Sequence, residues 1–182
     1  MTAHALLTDR DPHDRRTELV RGRLVFSEPP GFAHGRVIAR VTTALVNHVR
    51  ERERATGRRV GDVAAGEPGC WIERDPDTVR APDVAFVAAD RLLGSSVIGF
   101  LDGAPTLAVE VLSPTDRAGA VGDKVAQWLA AGTALVWVVD PERRCARVHG
   151  GDGSVTTVAS DGTLVGDAVL PGFALPLRDV LD

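Results

Sequence analysis

Apolar positions first take on a clear order after Glu18. The run ELVRGRLVFSEPPG holds two short β-prone stretches around Arg21-Gly22 and then a Pro-Gly break, which predicts a hairpin. Between His34 and about Arg54 the spacing turns helical. Steps of about 100° per residue put Val37, Ile38, Val41, Leu45 and Val49 on one stripe, with His34 in its middle. Arg36, Arg40, Asn47, Arg50 and Arg54 fall on the other side. That row reads as a solvated face, with phosphate contact as the alternative. The phase predicts that His34 faces the sheet and that Arg36 and Arg40 face solvent.

After Gly57 the pattern shifts to short strands between turn residues: Val60 to Ala65, Cys70 to Glu73, Asp83 to Ala88 and Thr106 to Leu112. A second helix is predicted over 119–131, with Val121, Val125, Trp128 and Leu129 inward and Gly132 as its stop. Ala134 to Val139 is a continuous apolar run, suited to a strand buried on both faces. Strand-like pieces continue at Cys145 to His149 and Ser154 to Ala159, and the tail from Leu164 alternates loosely around Pro171 and Pro176. The order of hairpin, helix, strands, helix, strands predicts an α+β fold with α/β-like character, a mixed β-sheet core with flanking helices. Residues 1–16 lack periodicity and are expected to form a flexible, frayed arm before a single domain over 17–182.

Composition narrows the class. The 182 residues are 44% hydrophobic and 25% charged, the balance of an ordinary soluble domain. No apolar run reaches the roughly 20 residues of a membrane-spanning helix, and the N-terminus lacks a signal-peptide core, so a cytoplasmic protein without a membrane partner is expected. Cys70 and Cys145 fit neither metal spacing nor a disulfide framework and read as reduced. Residues 1–60 carry 12 Lys plus Arg against 7 Asp plus Glu, whereas the rest carries 9 against 18. A polyanion would therefore have to meet a local basic surface. Of the 21 basic residues 20 are arginine, and Lys124 is the single lysine.

Three residues carry candidate chemistry. In Thr106 to Pro114, period two puts Leu107, Val109 and Val111 on one face and Ala108 and Glu110 on the other. A carboxylate in a core strand needs a cation, a basic side chain or water, because burying it unpaired costs several kcal/mol. In Ala81 to Val87, Pro82 sets the entry to a strand whose first residue is Asp83, again beside an alanine, Ala85. Taken singly, Glu110 also reads as a satisfied structural glutamate, Asp83 as a turn-stabilising residue and Lys124 as a surface amine. As a pair on adjacent strands, Asp83 and Glu110 would make a hard-oxygen site for Mg²⁺, with carboxylates within roughly 5 to 6 Å of each other. Lys124 lies one turn before Trp128, so its stem can follow the indole to the sheet edge.

Glu18-Leu19-Val20, Arg21 to Val25, the His34-Gly35 helix start, Arg80 to Ala85, Val109 to Pro114, Lys124 and Val136 to Pro141 together resemble the Uma-type restriction endonuclease family, within the PD-(D/E)XK nuclease superfamily. The resemblance runs from about Glu18 to the C-terminus. It implies a restriction-endonuclease-like fold and a metal-dependent endonuclease acting on DNA. Asp83 and Glu110, with the Val111 carbonyl, would bind Mg²⁺, for which Mn²⁺ could substitute. The superfamily commonly has a lysine two residues after the glutamate; here that residue is Leu112, and Lys124 matches the Uma-type position on the following helix. Glu18 and His34 match further positions that could line the cleft, and Glu67 matches an acidic position of the family. Each also has a structural reading: Glu18 paired within the Arg15, Arg16 and Arg21 cluster, His34 as a core histidine, Glu67 as a turn residue. Trp128 replaces a tyrosine common in the family, which removes a hydroxyl.

Lys124 would hold or deprotonate the attacking water, or stabilise the transition state. Lys124→Ala is then expected to abolish cleavage with folding and metal affinity nearly intact. A homodimer would suit cutting of both strands. The rival reading is a catalytically inactive nuclease-like module that binds DNA or protein, and a third is a hydrolase of small phosphate esters.

Overall fold

Two neighbouring residues start the fold, Arg21 and Gly22, both with left-handed φ (48° and 76°). That is the backbone of a type I′ turn, which matches the twist of a two-residue hairpin. It joins β1 (Arg16–Val20) to β2 (Arg23–Ser27). The structure is a computed structural model that describes residues 1–8, 16–92 and 99–182. The segment expected to fray forms a helix where it is described: α1 (Ala3–Thr8) buries Ala3, whose amide donates to the Asp77 carboxylate, while the N-terminal amine donates to the Gly22 carbonyl. These ties reach to residues some 20 and 74 positions away, so no local pattern could announce them. The remaining residues of that arm, 9–15, lie outside the described residues, and Arg15 with them.

The long helix α2 (Phe32–Thr56) buries His34, Val37, Val41, Leu45 and Val49, and stops where Gly57 turns left-handed and donates its amide to the Glu53 carbonyl. There follow β3 (Gly61–Ala65), β4 (Cys70–Glu73), β5 (Thr78–Arg80), β6 (Val84–Ala88), a 3₁₀ turn (Ala89–Leu92), β7 (Leu101–Asp102), β8 (Leu107–Val111), α3 (Ala118–Ala130), β9 (Leu135–Asp140), β10 (Cys145–Gly150), β11 (Val155–Ala159), β12 (Thr163–Val165), β13 (Ala174–Pro176) and α4 (Leu177–Leu181). The pieces β5 and β7, of three and two residues, are too short to leave a periodic signal.

The main sheet has the order β11-β10-β9-β8-β6-β3 and is mixed: β8 and β9 run parallel across the α3 crossover, and the other pairs are antiparallel. A second sheet, β2-β1-β5-β4-β7, carries the hairpin. Alternation along the central strands separates two apolar layers. Val84, Phe86, Leu107, Val109 and Trp137 pack against the α2 stripe and the C-terminal segment, whereas Ala108, Val136 and Val138 pack with Val125 and Trp128 of α3 and with Cys70. The fold is thus α+β, with helices against both faces of a mixed sheet. No helix of the described residues is long and apolar enough to cross a membrane.

The polar row on α2 faces solvent as expected at Arg36, Asn47, Arg50 and Arg54, and two of its arginines also have partners in the fold. Arg36 is exposed and Arg40 half-buried, and their guanidinium groups donate to the Leu181 and Val180 carbonyls at the end of α4. The last carbonyls of a helix lack intrahelical donors and carry the negative end of its dipole, so cations suit them. These two arginines are therefore a clamp on α4.

Candidate active site at the end of strands β6 and β8

The register of β6 and β8 pairs Val84 with Val109 and Ala85 with Ala108. Continued by one residue, it sets Asp83 opposite Glu110, both on the α3 side of the sheet beside their alanines. Asp83 Oδ2 accepts the Val111 amide at 2.6 Å, which fastens the two strand ends together. His34 arrives from the start of α2, with Nε2 at 3.4 Å from Asp83 Oδ1. All three side chains are buried, each about 7% exposed.

Lys124 comes from α3, one turn before Trp128. Its Nζ donates to Glu110 Oε2 (2.8 Å) and to the Ala81 carbonyl (2.9 Å), and stands 3.4 Å from Glu18 Oε1. Trp128 Nε1 donates to the other Glu110 oxygen at 2.8 Å. The indole thus supplies a donor to the glutamate, so the tryptophan at the family's tyrosine position still serves the site. Glu18, on β1, accepts the Ala81 amide (2.7 Å) and Arg80 Nη1 (2.8 Å). Arg80 Nε donates in turn to Gln127 of α3 at 2.7 Å. The sites singled out from the sequence, Asp83, Glu110, Val111, Lys124, Glu18 and His34, therefore belong to one contiguous chain of contacts.

Arg80 and Gln127 are additions. Arg80 stood in the sequence only as the residue before Ala-Pro-Asp, and its one signal is burial, which a buried arginine tolerates only with acceptors. Glu18 pairs with Arg80 from the neighbouring strand β5, 62 positions away in sequence. Glu67 occupies a left-handed position (φ 62°) in the turn after β3. The Gly66 amide there donates to the Asp83 carbonyl, but Glu67 is not among the residues lining the cleft. Cys70 donates its thiol to the Pro68 carbonyl. Burial, then the nearby Glu110 charge, pushes that thiol up to about 12, so it stays protonated and serves packing.

Burial also governs Glu110. It pushes the carboxyl up to about 7, with Asp83 adding repulsion and Lys124 opposing. For Lys124 burial pulls the amine down, yet Glu110, Glu18 and Asp83 together lift it above the ordinary lysine range. We take Lys124 as the ammonium, since every atom it meets is an oxygen acceptor. A carboxyl whose folded pKa is raised from 4.5 to about 7 gives stability that is fully present below about pH 4.5 and is lost as pH rises through about 7. At about 1.4 kcal/mol per unit this amounts to about 3 kcal/mol. Urea unfolding of the wild type and Glu110→Gln between pH 5 and 8 should show the wild type losing stability relative to the variant by that order. A flat difference would contradict it.

A cleft of about 350 Å³ opens over Glu110 and Lys124 between the hairpin and the first half of α3, lined among others by Glu18, Arg80, Val111 and Asp116; Asp83 and His34 are not among its lining residues. Among the described residues no three His, Cys, Asp or Glu side chains converge as a ready ligand set. Mg²⁺ does not require one, since it takes one or two carboxylates and keeps waters. Two carboxylates facing each other across adjacent strands, and repelling each other, fit that demand.

The family described as "Uma2: Putative restriction endonuclease" matches residues 3–178. No curated protein matches the chain. Among solved structures, a putative nuclease belonging to DUF820 from Anabaena variabilis ATCC 29413 has the same fold, with a TM-score of 0.81 at 17% identity over 100% of this chain and 97% of that one. With the family match running through all six elements that supply the site, from β1 to α3, the chain belongs to the Uma2 restriction endonuclease family.

Proposed function

We propose that this protein is a metal-dependent endonuclease that hydrolyses phosphodiester bonds in DNA. The observation that carries the reading is the cross-strand pair Asp83 and Glu110: Glu110 lines an open cleft with Val111 and the Lys124 ammonium, and Asp83 accepts the Val111 amide. Asp83, Glu110 and the Val111 carbonyl would hold Mg²⁺, with Mn²⁺ as a substitute. When bound, such an ion supplies Lewis-acid neutralisation of phosphate charge and acidifies water.

The chain's own residues do the rest. His34 orients Asp83, and Trp128 and Lys124 fix the two oxygens of Glu110, so both carboxylates are preorganised. Lys124 Nζ would exchange its Glu110 contact for the attacking water and hold it by a hydrogen bond; the proton of that water would leave to solvent through the open cleft, and the departing sugar oxygen would take a proton from solvent. Glu18, with the Ala81 carbonyl, keeps the amine at the cleft floor during that exchange.

Calorimetric titration of Mg²⁺ and Mn²⁺ into the wild type and Glu110→Gln, with a supercoiled plasmid assay beside it, tests this. One wild-type site is expected, weakened at least about 10-fold in the variant, with metal-dependent nicking only in the wild type. Equal metal binding by both proteins would remove Glu110 from the site and the reading with it.

A further inference from the structure

The cleft is lined by the carboxylates of Glu18, Glu110, Asp116 and Asp123 and by two cations, Lys124 and Arg80. The two cations differ in what they have left to give. An ammonium has three N–H donors, and Lys124 faces three oxygens: Glu110, the Ala81 carbonyl and Glu18. It is saturated. A guanidinium has five donors in a rigid fork, of which Arg80 uses Nε on Gln127 and Nη1 on Glu18. Nη2 has no hydrogen-bond partner among the described residues. Nor is it one of their fully buried unpartnered polar atoms, which belong to His34, His48, Thr133 and Trp137. Nη2 therefore keeps some contact with solvent, and Arg80 is among the residues that line the cleft.

From this we infer that Arg80 is the phosphate-anchoring residue of the cleft, with Glu18 and Gln127 as its positioning residues. The inference deepens the nuclease reading and rests on it for the identity of the substrate, a phosphodiester of DNA. Two acceptors on two different elements, Glu18 on β1 and Gln127 on α3, hold the planar fork before any ligand arrives, so little side-chain freedom is lost on binding. Planar donors also match phosphate oxygens in a way that a point charge does not. Lys124 is still engaged with Glu110 when the anion arrives, so the initial capture falls to Arg80.

The test measures binding of a labelled duplex of about 20 base pairs by fluorescence anisotropy, in Ca²⁺, from about 50 to 200 mM salt. Wild type, Arg80→Gln, Arg80→Lys and Glu18→Gln are compared, and inorganic phosphate is titrated into the same proteins by calorimetry. Loss of one phosphate contact lowers the slope of log affinity against log salt by about 0.9, so Arg80→Gln should show that smaller slope and about 10-fold weaker binding. Arg80→Lys should regain the slope. Glu18→Gln should keep the slope, because the cation remains, while binding weakens by less than in Arg80→Gln, because the fork loses one charged tie.

A wild-type slope in Arg80→Gln would overturn the inference. So would an equal loss in Glu18→Gln, which cuts the same Arg80 tie and would mark Arg80 as a purely structural link. If the wild type ignores the duplex yet binds inorganic phosphate through Arg80, the DNA reading fails and the anchor stands. If it binds neither, the anchor fails too.

Discussion

Lys124→Met should lower cleavage by about 10²- to 10⁴-fold and, without metal, lower stability by about 3 kcal/mol. The second half departs from the expectation drawn from the sequence, in which the helix kept its packing and folding was untouched. Packing is indeed spared, since Val125 and Trp128 remain in their cluster. The cost is electrostatic. Glu110 is buried beside Asp83, and Lys124 is the cation that touches it. Removal leaves Glu110 with the Trp128 indole alone, so its carboxyl should rise further above about 7 and take up a proton. A divalent ion replaces the lost charge, so added Mg²⁺ should recover much of that stability. Urea unfolding with and without Mg²⁺, beside plasmid cleavage, measures both effects. A stable, active Lys124→Met protein, indifferent to Mg²⁺, would remove Lys124 from the mechanism.

Asp83→Asn should weaken Mg²⁺ binding by about 100-fold or more and cleavage by at least about 10³-fold, with only a small change in stability. Asparagine is nearly isosteric and still offers an oxygen to the Val111 amide, so the strand ends stay joined. What it lacks is the charge. Asp83→Ala separates the two roles, because it also leaves the Val111 amide without its acceptor and should cost a further 1–3 kcal/mol or so. Calorimetry and unfolding on both variants give the comparison. Wild-type Mg²⁺ affinity in Asp83→Asn would show that Asp83 is a strand clasp and nothing more.

Local physics made much of this protein legible in advance. The φ > 0 requirement of a two-residue hairpin is met by Arg21-Gly22, the 3.6-residue stripe from Val37 to Val49 is the buried face of α2, and period two along β8 puts Glu110 and Ala108 on the face away from Val109. These depend on neighbours a few residues apart, whose geometry the backbone dictates. The sequence therefore determined which side chains share a face. Which face meets which partner was decided by tertiary structure, because contacts between distant segments follow from loop closure and burial that no short window contains. Asp83 meets Glu110 because β6 and β8 are sheet neighbours; Arg80 reaches Glu18 over 62 positions; Arg36 and Arg40 lie on the solvent side of the helical wheel and from there clamp a helix end 140 and more residues away. The charge state of the site was likewise undecided until the fold closed, since a glutamate at the end of an exposed strand would titrate near 4.5, and only the layers of α3 and the second sheet exclude the water that would keep it there.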